Sequence, residues 1–131
     1  MIFLGCEGVI IDEIRGPSVV ESGSKTSVIL DCIYSFKDHE MMDTLTVKWY
    51  LNDYPEPVYQ WVYNRKPRAL GRFLNKINIH YRASRDKYSE HRALEILNPT
   101  TQESGVYKCQ VGTLDENSED TKSKNLIIYC K

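Results

Sequence analysis

From Val9 onward, apolar residues recur at every second position in short runs, and turn-forming clusters separate the runs. This is the rhythm of strands that bury one face and leave the other in water. The run 26–34 places Val28, Leu30, Cys32 and Tyr34 on one face, with Ser27, Ile29, Asp31 and Ile33 on the other. In the run 45–51, Leu45, Val47, Trp49 and Leu51 share a face, and Asn52-Asp53-Tyr54-Pro55 supplies the turn that follows. Residues 9–14 and 18–21 predict one edge strand broken at Gly16-Pro17, where proline cannot donate to a ladder. The stretch 58–63 is strongly β-prone, and 77–82 and 93–97 predict two more strands joined by the charged segment 83–92. Runs 105–112 and 125–129 complete the set, with an acidic loop between them. No stretch longer than a turn carries helical periodicity, and no internal repeat is present. The pattern predicts an all-β sandwich or barrel of about nine strands.

Composition narrows this picture. A chain of 131 residues suits one domain with a real core. The formal net charge of −1 points to no polyanionic partner for the chain as a whole, and nucleic-acid binding is not expected. No apolar run approaches the roughly 20 residues of a membrane-spanning helix. The four cysteines, Cys6, Cys32, Cys109 and Cys130, form no C-x-x-C pair and no close Cys/His grouping, so a zinc site is not expected, nor any other cofactor. A long-range disulfide in an oxidising, extracellular compartment suits them better. Cys6 and Gly8 stand at −3 and −1 of a candidate signal-peptidase cut before Val9. Residues 1–8 are therefore expected to be a signal-peptide remnant or a disordered N-terminus, and 9–131 the folded domain.

Trp49 follows Cys32 after sixteen intervening residues, and Glu103-Ser-Gly-Val-Tyr-Lys-Cys109 comes much later. This constellation resembles the immunoglobulin superfamily. The long spacing between Trp49 and residue 77, with 57–62 similar to a C′ segment and 93–98 to an E strand, resembles its variable (V) set. The resemblance covers about residues 9–129 and implies a Greek-key sandwich of two antiparallel sheets. It implies a Cys32–Cys109 bridge between the sheets, Trp49 packed beside the sulfurs, a Tyr107 hydroxyl turned back onto the corner backbone, and a sharp bend at Gly105. Glu103 stands where V domains usually carry Asp and Lys76 near the usual Arg, so a Lys76–Glu103 ion pair is expected with a point charge in place of a guanidinium fork. The segment after Gly112 lacks the G-x-G bulge of antibody joining segments, and Val47-Lys-Trp-Tyr-Leu-Asn is more similar to invertebrate cell-surface V-type proteins such as the insect beaten-path group.

Chemistry for catalysis is not apparent. His39, His80 and His91 accompany no nucleophile in a known motif and are expected to be exposed, and glycine-rich phosphate loops are absent. The expectation is a non-enzymatic, extracellular recognition or adhesion module that binds a protein, homophilically or heterophilically. With Trp49 and Cys109 inward, strand alternation turns Lys48, Tyr50, Lys108 and Gln110 outward on the G, F, C, C′ sheet, and Tyr59 and Trp61 are expected to join them as a candidate binding face. The alternatives are a secreted immune-type recognition protein using the BC and FG loops, or a structural or accessory module with no ligand of its own. Residues 65–92 hold nine Lys/Arg against Asp86 and Glu90, while 38–43 and 115–120 are acidic. The basic flank suggests a weak contact with an acidic glycan, against the simpler reading of a solvated charged face. Cys6 and Cys130 are expected at opposite ends of the sandwich, roughly 30 Å apart and far beyond disulfide reach.

Overall fold

The computed structural model describes residues 8–36, 43–113 and 119–131. The expectations for residues 1–7 (with Cys6), for His39 and for most of both acidic loops lie outside the described residues. Nine strands are found among the described residues: β1 (Val9–Arg15), β2 (Val19–Glu21), β3 (Ser27–Phe36), β4 (Leu45–Leu51), β5 (Tyr59–Val62), β6 (Arg68–Ala69), β7 (Ala93–Leu97), β8 (Gly105–Thr113) and β9 (Glu119–Tyr129). They build two sheets, a three-stranded one in the order β1-β3-β7 and a six-stranded one in the order β2-β9-β8-β4-β5-β6. The all-β class is therefore as the alternation predicted.

The core follows from period-two patterning. Val28, Leu30, Cys32 and Tyr34 of β3 are buried, as are Leu45, Val47, Trp49 and Leu51 of β4. Each such apolar side chain contributes about 1.5–3 kcal/mol by leaving water. Cys32 on the small sheet is bonded to Cys109 on the large one, with Cα atoms 6.4 Å apart, and Trp49 lies directly across from Cys109 in the β4–β8 register. The bridge thus pins the two layers together at their centre.

Gly16-Pro17 is where the chain changes sheets. β1 pairs antiparallel with β3, whereas β2 pairs parallel with β9 in the opposite layer. Gly16 has φ of +158°, and a Cβ there would meet the Ile29 carbonyl oxygen at 2.6 Å, so a side chain would obstruct the crossing. At the other end, Thr100 caps a 3-10 helix (Thr101–Glu103), and the buried Glu103 carboxylate accepts the Thr100 N–H at 2.7 Å. Lys76 pairs with that carboxylate at 3.3 Å, and the Tyr107 hydroxyl donates to the Glu103 carbonyl. One acidic residue therefore organises the corner through both its side chain and its backbone.

Two predicted strands need correction. Residues 77–82 form no strand; only Ile77 bridges Ile96. Asn78 marks the break: its N–H still reaches the Glu95 carbonyl at 3.1 Å, but its Oδ1 accepts the His80 N–H at 3.0 Å and its carbonyl the Tyr81 N–H at 3.4 Å. Such local bonds divert the backbone from the ladder into a turn. β9 in turn begins at Glu119 instead of 125, because its hairpin pairing with β8 continues to Gly112↔Glu119. Asp120 then accepts the Ile11 N–H at 2.8 Å, next to the register shift in β1, tying the last strand to the first.

The segment that follows Asn78 is bound to the sandwich by buried aromatic donors. Tyr34 donates to the Tyr88 carbonyl at 2.6 Å, Tyr59 to that of His91 at 2.8 Å, and the Trp49 indole to that of Arg92 at 3.0 Å. Arg92 itself grips Asp31 through two bonds, at 2.7 and 3.2 Å. His91, expected to be exposed, is partly buried against Trp61, with Nδ1 3.0 Å from the Tyr81 carbonyl.

Candidate functional site

The outer face of the six-stranded sheet is assembled from alternate residues of β4 and β8. Because Trp49 and Cys109 point inward, their neighbours Lys48, Tyr50, Lys108 and Gln110 point outward, and the register sets Lys48 beside Gln110 and Tyr50 beside Lys108. All four lie where the sequence pattern puts them. The Tyr50 hydroxyl donates to Gln110 Oε1 at 3.0 Å, and Lys108 Nζ sits 4.8 Å from the centre of the Tyr50 ring. Gln110 passes the network on by donating to Glu119. Partial burial, then the carboxylates of Glu119 and Glu56, push the Tyr50 hydroxyl up from its ordinary pKa. The phenol therefore remains a neutral hydrogen-bond donor across the physiological range. A shallow depression of about 140 Å³ beside it is lined by Thr46, Lys48, Gln110 and Glu119.

Tyr59 and Trp61 do not belong to this face. They are 1% and 2% exposed and lie inside the sandwich. The register decides it: Tyr59 lies directly opposite Trp49, and Trp61 opposite Val47. Directly opposed residues share a face, so aromatics paired with core residues enter the core. Gln60 takes the outward position opposite Lys48.

In their place the structure exposes a set of apolar side chains that sequence reasoning missed. Val106 is 43% exposed, Ile127 54%, Val19 58% and Tyr129 44%. Leu126 and Ile128 of β9 are buried, so Ile127 and Tyr129 alternate onto the outer face, and Val19 pairs beside Ile127. The run Leu126-Ile127-Ile128-Tyr129 is apolar at both phases, so only its pairing, with β8 at Leu126 and with β2 from Ile127 to Tyr129, reveals which residues face water.

No family model matches the chain, and no curated protein matches it. What the geometry offers chemically is a surface for contact. The Tyr50 ring presents a flat amphipathic platform, Lys108 and Glu119 bring charges of opposite sign, and the aliphatic groups on β2, β8 and β9 supply area that releases water when covered. Among the described residues, no group of three or more His, Cys, Asp or Glu side chains is placed to hold a metal ion. No helix of the described residues is long and apolar enough to cross a membrane.

Proposed function

We propose that the chain is an immunoglobulin-type V domain acting as an extracellular recognition module, which binds a protein partner through the outer face of its six-stranded sheet. The strand order supports the domain type. With β1 and β2 as the split A strand, β3 as B and β7 as E, the order β9-β8-β4-β5-β6 corresponds to G, F, C, C′ and C″, the arrangement by which V domains extend the GFC sheet. A buried disulfide supports an oxidising compartment, where such bonds persist. The similarity to the insect beaten-path group belongs to the same proposal.

One observation carries the functional reading: Tyr50 stands on the outer face with Lys108 over its ring and Gln110 on its hydroxyl, and exposed Val106 lies on the same face two residues from Lys108. A half-buried Tyr with a restrained rotamer loses little entropy on binding, and aromatic platforms of this sort dominate interface energetics. The test is a screen of the domain against extracellular proteins and against itself, repeated with Tyr50→Ala and Lys108→Glu. We expect each substitution to weaken the interaction found by about tenfold or more, with the thermal midpoint little changed. A partner that binds both variants as tightly as the parent would place recognition elsewhere on the domain.

A further inference from the structure

The basic flank of the domain is concave. The turn after β5, with Asn64, Arg65 and Lys66, faces the segment 79–91 across a cleft of about 420 Å³. A second concavity, of about 520 Å³, is lined by Arg82, Ser84 and Arg85 and shares Arg82 and Glu90 with the first. The two adjoin at the Arg82–Glu90 ion pair and form a trough with cations along both banks.

Little of this charge is neutralised internally. Arg82 pairs with Glu90 at 2.8 Å, but among the described residues Arg65, Lys66, Arg85 and Lys87 have no carboxylate partner, and all four are exposed. Asp86, the other acid of the region, is occupied by the Tyr88 N–H at 3.1 Å and the Ser89 hydroxyl at 3.3 Å. Arg65, Lys66, Arg82, Arg85 and Lys87 line the two concavities against Glu90 alone, within a chain of net charge −1, so the field is strongly local. The banks are also preorganised. The carbonyls of Tyr88, His91 and Arg92 are held by Tyr34, Tyr59 and Trp49, so the 79–91 side of the trough is tied to the core. The floor is rigid as well: Trp61, 2% exposed, lines the cleft and meets the His91 ring edge-on.

We infer that this trough binds a sulfated saccharide chain. Cations on two banks suit oxyanions repeated along a chain better than a single ion, since the two concavities together exceed one anion's footprint. Ile79, partly exposed, adds apolar surface against which a sugar ring can lie. No exposed Tyr, Trp or Phe ring lines either concavity, so there is no platform on which a nucleic-acid base would stack. The trough shares no lining residue with the Tyr50 face, so it is a second site on the proposed recognition module.

The test is surface plasmon resonance with a size-defined, sulfated hexasaccharide at about physiological ionic strength, where surface charges interact over roughly 8 Å. The parent domain should bind, and affinity should fall as salt is raised. Arg65→Ala/Lys66→Ala and Lys87→Ala should each weaken binding by roughly three- to tenfold, the scale of one or two exposed charge contacts. Lys25→Ala, a change in an exposed turn outside the trough, should have no effect. The desulfated hexasaccharide should not bind, and inorganic sulfate at equal sulfate concentration should not displace the chain. Equal affinity of the trough variants and the parent overturns the inference, as does an equal loss in Lys25→Ala. So does absence of binding, efficient displacement by inorganic sulfate, or a preference for anionic phospholipid vesicles over the saccharide. Tyr50→Ala should bind the hexasaccharide normally, which separates failure of this site from failure of the protein-binding face.

Discussion

Trp61→Ala discriminates most sharply between a core and a surface reading of β5. An outward Trp61 would cost binding and leave stability intact; the structure demands the reverse. The ring is 2% exposed, lies across from Val47 and meets His91 edge-on with centroids 5.6 Å apart. Truncating a buried Trp to Ala typically costs about 3–5 kcal/mol. The low end applies here, because one side of the ring borders the cleft and water can enter part of the vacated space. A loss of about 3 kcal/mol is a large fraction of the roughly 5–15 kcal/mol that holds a domain together. With an unfolding entropy of about 2 cal/mol/K per residue, it lowers the thermal midpoint by about 11 °C. Thermal and urea unfolding, followed by circular dichroism with the disulfide intact, measures the change. Trp61→Phe, which keeps most of the apolar contact, should lose less than half as much. A Trp61→Ala protein whose midpoint stays within about 2 °C of the parent would refute the inward placement and the β4–β5 register behind it.

Replacing Cys32 and Cys109 together by Ala should destabilise the domain by about 4 kcal/mol, because their bridge closes a loop with a sequence separation of 77; denaturant unfolding reads this directly. An unchanged midpoint would mean that the bridge does not restrain the unfolded chain. The domain should also unfold in alkali. Tyr34, Tyr59 and Tyr107 have hydroxyl pKa values raised above the ordinary 10.0, first of all by burial. A pKa higher in the folded than in the unfolded chain means that this stability is fully present below pH 10.0 and drains away above it. Near-ultraviolet titration should therefore show these phenols ionising only together with loss of structure, and smooth ionisation of every tyrosine around pH 10.0 in a still-folded protein would contradict their burial.

Much of the sandwich was legible in the sequence because the relevant information is local. Alternation in β3 and β4 separates a core face from a solvent face without reference to any partner strand, and Lys48, Tyr50, Lys108 and Gln110 inherit their outward positions from it. Cys32, Trp49, Tyr107 and Cys109 at the centre of the molecule, and Lys76 and Glu103 as the corner pair, were expected from the resemblance that their motifs carry.

Where a segment is apolar at both phases, local information runs out. Val58-Tyr59-Gln60-Trp61-Val62 can present either face, and a slip of one residue exchanges every side chain. The pairing of Tyr59 with Trp49 resolves that choice, just as pairing with β8 and β2 resolves Leu126 to Tyr129. Residues 77–82 read as a strand by composition, yet Asn78 satisfies its neighbours locally and releases the chain from the sheet. The basic trough is more dependent still on tertiary structure. Its banks are far enough apart in sequence that only docking of 79–91 onto Trp49, Tyr34 and Tyr59 brings them face to face. In strands with clean alternation, such as β3 and β4, the sequence alone determined which residues avoid water, since that preference belongs to each side chain. Which strand pairs with which, in what register, was decided by the tertiary structure, because a backbone hydrogen bond is indifferent to the side chains it brings together.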